Sequence, residues 1–350
     1  MDKYRTVVIA DHHKSVFVCR TVDTQTGETE LRTLNATREE LQALFTELPR
    51  PAVLFVEACR SWEWVSDLCE DQVMDMRLVD AAKMPEIWRS NKKTDRQDVE
   101  AMLERWLVTG QLPESYRATR AQRELRGLTR RLEEIRKHRR VTLNRIHALI
   151  DAHGMPAKKE NFVDETWKAS AQRLLPPDVW IVLDTLLDEL GVLIKQQQTL
   201  EQRVEELMTD HDDAKRLQAI PGVGKIIAAT ILAETADIER FPNARAFAAY
   251  TGLVPRVRSS AGKAKLGNIT RSGPPGLRWA LGHAIFASIR SKHPSAATEF
   301  YRLKAKRGKP KKLAMTAAAH KLARIVFVML SRSEAFRPPR TRQPVSAKVA

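Results

Sequence analysis

Cysteine is scarce: Cys19, Cys59 and Cys69 are the only three in 350 residues. An odd count without paired metal-ligand spacing excludes a disulfide framework and a thiolate zinc site. It fits core thiols in a reducing cytosol. Long apolar runs are also missing. No stretch approaches the ~20 residues that a membrane-spanning helix needs, so no membrane partner is expected. The opening residues Met1-Asp2-Lys3-Tyr4-Arg5 lead into a strand-like run rather than a signal peptide. Acids are in short supply: 43 Asp and Glu face 59 Lys and Arg, a formal net charge of +16. Such an excess concerns partners rather than fold, and nucleic acid is the first candidate. What is present is a 43% hydrophobic fraction, enough for real cores, in a chain long enough for about two or three domains.

Four acids stand out against this basic background. Asp11 closes the apolar run Thr6–Ala10, and Glu57 closes Ala52–Val56. Asp95 and Asp98 lie in Lys92-Lys93-Thr94-Asp95-Arg96-Gln97-Asp98, at the predicted start of a helix. A carboxylate ending an apolar strand sits at the rim of a sheet, and two acids at i and i+3 share one helix face. Four carboxylates brought together ionise cheaply only beside a cation, and hard oxygen ligands favour Mg²⁺ or Mn²⁺. Two such ions can clamp the attacking and leaving oxygens of phosphoryl transfer. Singly, each acid is also an ordinary solvated or capping residue; Asp95 fits a helix cap, and Asp80 is an equally good strand-end acid.

Residues 1–112 read as mixed α/β in the order β-β-β-α-β-α-β-α, that of an RNase H/RuvC-like domain, although other α/β folds share it. A hairpin is expected around Asp11-His12-His13-Lys14, with helices from Thr37, Ser61 and Asp95. Trp62, Trp64, Trp88 and Trp106 are expected in cores rather than as stacking platforms. Residues 113–214 are long, charged and helical, with one stripe of Leu125, Leu128, Leu132, Ile135, Ile146 and Leu149. A second stripe runs Leu183, Leu186, Leu190, Leu193, Gln197, Leu200, Val204 and Leu207. Both an intramolecular helical hairpin and a dimerising coiled coil, with Gln197 setting its register, fit these heptads. Residues 215–333 form a helical, basic C-terminal unit, and 334–350 a Pro- and Arg-rich tail expected to be disordered.

Three basic motifs occupy the C-terminal unit. Ile220-Pro221-Gly222-Val223-Gly224-Lys225, before an apolar helix, resembles a helix-hairpin-helix turn, whose amides and Lys225 can hold a phosphate; a tight packing turn fits as well. Between Gly252 and Thr270, Ser259 and Ser260 stand among Arg256, Arg258, Lys263 and Lys265. A serine is a nucleophile only when activated, and cations around it hold phosphate and stabilise developing charge. A solvated phosphate-binding loop is the plainer alternative. Arg302, Lys304, Lys306, Arg307, Lys309, Lys311 and Lys312 form a backbone-binding stretch, or a solvated loop. Residues 251–312 hold 15 Lys or Arg, including Arg271 and Arg278, against the single acid Glu299.

Together these residues resemble the DEDD-type transposases of insertion sequences, related to Piv-type DNA invertases and including bridge-RNA-guided recombinases. The resemblance spans roughly residues 4–331. It is carried by Lys93-Thr94-Asp95-Arg96-Gln97-Asp98, by Gly252-Leu253-Val254-Pro255 with Ser260, by Gly267-Asn268-Ile269-Thr270, and by Leu277-Arg278. It implies a RuvC-like domain whose metal-binding catalytic acids are Asp11, Glu57, Asp95 and Asp98, using Mg²⁺ or Mn²⁺. It implies a coiled-coil middle and a C-terminal domain with an essential serine, by position Ser260, with Ser259 its neighbour. Lys225, Arg256, Arg258, Lys263, Lys265, Arg271, Arg278, Lys304, Lys306 and Arg307 are the expected nucleic-acid contacts. The implied partners are element-end and target DNA, a noncoding guide RNA and further copies of the chain, as dimer or tetramer. The implied setting is the bacterial cytoplasm and its nucleoid. The chain departs from the pattern at Ile9, at Cys59-Arg60 after Ala58, and at Ala261, where glycine is usual after the serine. Two other functions stay open on the residues alone: a RuvC-like nuclease that cuts with water, and a non-enzymatic nucleic-acid-binding regulator.

Overall fold

The computed structural model describes residues 3–59, 61–85, 94–155, 157–260, 263–291 and 294–337; the side chains of residues 257–266 lie outside the description. Arg60, Trp88, Lys92, Lys93, Pro156, Ala261 and the tail from Pro338 therefore lie outside the described residues. The chain divides into two compact units, Met1–Arg120 and Ala121–Ala350.

The first unit is built on a six-stranded sheet of β1 (Thr6–His12), β2 (Val16–Asp23), β3 (Thr29–Asn35), β4 (Ala52–Glu57), β5 (Asp75–Val79) and β6 (Glu114–Ser115), in the spatial order β3-β2-β1-β4-β5-β6. β1 pairs antiparallel with β2 and parallel with β4, and β5 continues the parallel stack. A central strand covered on both faces is apolar throughout, and every residue of β1 is buried. Alternation then sorts its side chains. Val8 and Ala10 join Leu54, Val56 and Met76 under α1 (Arg38–Glu47) and α2 (Trp62–Asp71). Val7 and Ile9 join Val53 and Phe55 under α3 (Asp95–Thr109), whose Val99, Met102, Leu103 and Trp106 fill the other layer. Cys19 and Cys69 are buried in the first layer, and burial pushes both thiols up to about 12. Trp62 and Trp64 pack partly buried against the same core.

The hairpin differs in one detail from the sequence pattern. β1 runs on through Asp11 and His12, which pair with Val18 and Phe17, so the turn begins at His13. Asp95 is not the cap of α3: the Thr94 hydroxyl accepts from the Gln97 amide, and Asp95 is the first helical residue. Asp80 turns aside to pair with Lys83 at 2.7 Å.

The second unit is mainly helical: α4 (Arg120–Ala152), α5 (Glu165–Leu174), α6 (Pro177–Met208), α7 (Asp212–Gln218), α8 (Lys225–Thr235), α9 (Ala244–Tyr250), α10 (Pro275–Ser288), α11 (Ala296–Lys306) and α12 (Lys311–Ser331). The Ser-rich basic segment is neither helix nor open loop: it forms an antiparallel hairpin of β7 (Pro255–Ser260) and β8 (Lys263–Ile269). α4 and α6 pack against each other within the chain. Ile146 and Ile150 share a core with Leu183, Leu187 and Leu190, and Arg136 pairs with Glu201 at 2.6 Å. The buried residues of α6 are Leu183, Leu187, Leu190, Leu193, Gln197, Val204 and Met208; of the expected stripe, Leu186 is only partly buried against the core, Leu200 is half-buried and Leu207 is exposed. The Gln197 amide donates to Glu201 at 2.8 Å.

α8, α10 and α12 form the C-terminal core, with Leu125 and Leu128 of α4 packed against it. α12 is long and apolar enough to cross a membrane, with 21 residues and an 18-residue window of mean hydropathy 1.5, which the sequence pattern did not anticipate. Its Ala318, Ala319, Leu322, Ala323 and Val326 are buried in that core. Beyond α12, Phe336 packs on the same core and Glu334 pairs with Arg337 at 3.6 Å, so the start of the expected disordered tail is ordered.

Glu234 of α8, 2% exposed, accepts a two-pronged contact from Arg130 of α4 at 2.8 and 2.9 Å, with Arg126 at 3.9 Å. Removing Arg130 takes both hydrogen bonds from a buried carboxylate and leaves Arg126 at 3.9 Å, whereas removing the carboxylate returns Arg130, already half-exposed, to water. Arg130→Ala should therefore cost about 3 kcal/mol in urea unfolding, more than Glu234→Gln. A loss below about 1 kcal/mol, the scale of surface pairs, would show the pair to be no anchor.

Candidate active site

Strand alternation and helix phase assemble the acids. Asp11 follows Val7 and Ile9 on the α3 side of the sheet, and Glu57 follows Val53 and Phe55 on the same side, one residue beyond the Ala10–Val56 pair of the parallel ladder. α3 carries Asp95 and Asp98 in its first turn, where helix N-terminal amides favour negative charge. Asp98 precedes the buried Val99 and is itself only 4% exposed; Asp11 is 3% exposed.

The result is two overlapping groups that share Asp11. One carboxylate oxygen from each of Asp11, Glu57 and Asp98 lies within 4.8 Å of the others. Asp95 joins through a residue the sequence did not single out: His13 Nε2 stands 3.2 Å from both Asp11 Oδ2 and Asp95 Oδ1. Its signal was available in its place, two residues after a strand-end acid. Burial pushes the Asp11 carboxyl above its ordinary range; His13 pulls it down, and Asp95 and Asp98 push it further up. Three crowded carboxylates, two of them buried, form an all-oxygen donor set suited to a hard divalent cation. His13 adds a nitrogen donor to the second group.

The neighbouring His12 is chemically separate. It points to the α2 face, where Nε2 lies 3.1 Å from the Ser61 hydroxyl and the ring meets Trp64 edge-on at 5.4 Å. Burial lowers its pKa.

The C-terminal motifs hold to different degrees. Gly222, at φ +90°, brings the turn so close to α10 that a Cβ there would stand 2.2 Å from the Ala284 carbonyl oxygen. Its backbone freedom is therefore spent on packing. Lys225, first residue of α8, pairs with Glu205 at 2.7 Å, an exposed pair that yields cheaply to a phosphate. In the hairpin register Ser260 lies opposite Lys263 and Arg258 opposite Lys265. Arg256 reaches the Thr270 carbonyl at 3.3 Å, and Arg278 donates to the Gly273 carbonyl. Burial and the charge of Arg271 lower the Arg278 pKa. Lys304 and Lys306 lie in the last turn of α11, with Arg307 at its end.

Two family models match the chain. One, described as a transposase of the DEDD type of IS110, covers residues 9–155 and all four acids; the other, the IS116/IS110/IS902 transposase family, covers residues 214–302. The chain is an insertion-sequence transposase of the IS110/IS116 family. It is 28% identical over 310 residues to the "Probable family 20 transposase" of Pseudomonas aeruginosa, an alignment covering 86% of this chain and 90% of that protein. It is 28% identical over 260 residues to the transposase for insertion sequence element IS1111A of Coxiella burnetii, with 71% and 69% covered. With the transposase for IS1328 of Yersinia enterocolitica it shares 26% identity over 231 residues, covering 65% and 68%. The transposase is thus a DNA-acting enzyme whose first model spans the carboxylate groups and α4, and whose second spans α7 to the body of α11, including the β7–β8 hairpin.

Proposed function

We propose that this transposase cuts and rejoins DNA in a RuvC-like carboxylate site combined with a serine nucleophile, guided by a noncoding RNA. The observation that carries the proposal is the convergence of Asp11, Glu57 and Asp98 within 4.8 Å on the α3 side of the sheet. Asp11, Glu57, Asp95 and Asp98 would hold Mg²⁺ or Mn²⁺, with His13 a further donor between Asp11 and Asp95. When bound, the ion neutralises the phosphate charge that builds up during transfer.

The Ser260 hydroxyl attacks the phosphorus of a DNA phosphodiester. A Ser–O–P bond forms as the P–O bond to one deoxyribose breaks, and the proton lost by serine is balanced by the one gained by the departing hydroxyl. A hydroxyl from the exchanged strand then attacks the phosphoserine, restoring a phosphodiester and free Ser260. Arg256, Arg258, Lys263 and Lys265 pair with the phosphate throughout, and Lys225, Arg271, Arg278, Lys304, Lys306 and Arg307 track flanking backbone. Acids and serine come from different copies of the chain in a dimer or tetramer, acting on nucleoid DNA in the cytoplasm.

The test is joining of element-end DNA to target DNA by chain purified from cells that also transcribe the DNA flanking its gene. Joining should need a divalent ion and stop after RNase treatment. Joining by RNase-treated protein would remove the RNA guide, and joining by Asp98→Ala would remove the carboxylate site.

A further inference from the structure

α10 has one face in the core, with Leu277, Ala280, Leu281, Ala284 and Ile285 buried. Its opposite face carries rings, of which His283 and Phe286 are exposed and Trp279 is partly buried against the C-terminal core. Trp279, His283 and Phe286 follow one another at i, i+4 and i+7 and so share a stripe. The Trp279 and His283 rings stack at 4.5 Å with planes 34° apart, and His283 Nδ1 lies 3.1 Å from the Trp279 carbonyl oxygen, which fixes the imidazole. Phe286 is 51% exposed, and the guanidinium of Arg290 lies over its ring at 5.2 Å. Arg136 of α4 caps the far end, 5.7 Å from the Trp279 ring.

We propose that this stripe is a stacking platform for the unpaired bases of a single-stranded nucleic-acid segment. The rings offer flat faces on a helix that its buried side holds rigid, so little order is lost on binding. Arg290 stands at one end, where a phosphate backbone crossing the stripe would run, and Arg136, paired with Glu201, closes the other. Phe286 is exposed and Arg290 flanks its ring, whereas a protein interface presents a broad apolar patch. Duplex DNA keeps its bases stacked on one another, so the platform selects unpaired strands; each stacked base contributes about 1–3 kcal/mol.

This inference rests on the chain's action on nucleic acid, and the experiment separates the two. Full-length protein is titrated into fluorescent oligo(dT) and into a duplex of equal length, with anisotropy as the readout. Phe286→Ala should weaken oligo(dT) binding by about 5- to 150-fold, the stacking contribution of one base, and leave duplex binding within about twofold. Phe286→Trp should bind oligo(dT) at least as well as the unaltered chain. Because Phe286 is half-exposed, the melting temperature should hold. Oligo(dT) binding unchanged in both Phe286→Ala and His283→Ala would overturn the platform. So would equal losses on both DNA forms, or a change in oligomer size on replacing Phe286. If the unaltered chain binds neither DNA, the nucleic-acid reading itself fails.

Discussion

Asp11→Asn should abolish DNA joining yet raise the melting temperature of the metal-free protein. Asn is nearly isosteric but neutral. It removes a carboxylate that is 3% exposed and is repelled by Asp95 and Asp98. Burial holds the folded-state pKa above the ordinary value, so ionised Asp11 costs the fold stability. That cost is absent below the ordinary carboxylate pKa, grows as pH rises through the window up to the raised value, and is complete above it. The variant should lack this component of the pH profile. A divalent ion that binds only the folded site raises the melting temperature of the unaltered chain by mass action, and it should do so far less for Asp11→Asn. Joining should fall by at least about 100- to 1,000-fold, the scale of losing one preorganised electrostatic contact. A variant that melts lower than its parent without metal, or that keeps the parent's response to Mg²⁺, would show that Asp11 is a structural acid.

Ser260→Ala should eliminate the protein–DNA adduct altogether. Denaturing gels of the unaltered chain with labelled element ends should show label migrating with protein, and the variant should show none while still binding the same DNA. Ser259→Ala, one register position away opposite Ala264, is the control and should keep the adduct. If Ser260→Ala joins strands, the carboxylates act with water and the chain works as a metal-dependent nuclease. If Ser259→Ala alone loses the adduct, the nucleophile moves by one residue. The melting temperature of each variant checks that the fold is retained, and DNA binding at the parent's level checks that the hairpin is intact.

The carboxylate site was legible because it rests on two short-range rules. Apolar runs ending in Asp11 and Glu57 announced strands, and the phase of Val99, Met102, Leu103 and Trp106 announced α3 from Asp95 to Thr109, although its cap is Thr94 rather than Asp95. His13 carried only a positional signal, two residues after a strand-end acid; its aim was hidden, because it belongs to a turn, and a turn's aim depends on the strands that it joins. The β7–β8 hairpin was hidden for the opposite reason. Charges at Arg256, Arg258, Lys263 and Lys265 do alternate, but Ser and Gly between them read as loop. On α6 the heptad frame held at Leu183, Leu190, Leu193, Gln197 and Val204, and burial moved by one residue only locally, to Leu187 and Met208. Residues three and four apart share a helix face, so such an exchange leaves the stripe in place. At Gly222 the sequence left a phosphate-binding turn and a tight packing turn both open, and the backbone of α10 beside it shows the packing constraint.

The alternation along β1 has a consequence for how this protein can change. Asp11 and His12 are adjacent letters that serve separate compartments, the acidic pocket and the ring-lined α2 layer. Substitution can adjust either compartment independently. Gain or loss of one residue within Thr6–Ala10 cannot: it would exchange their destinations, sending an imidazole to the acids and a carboxylate among aromatic rings. The strand therefore behaves as a reading frame of two, and its length is as much a part of the site as the acid at its end.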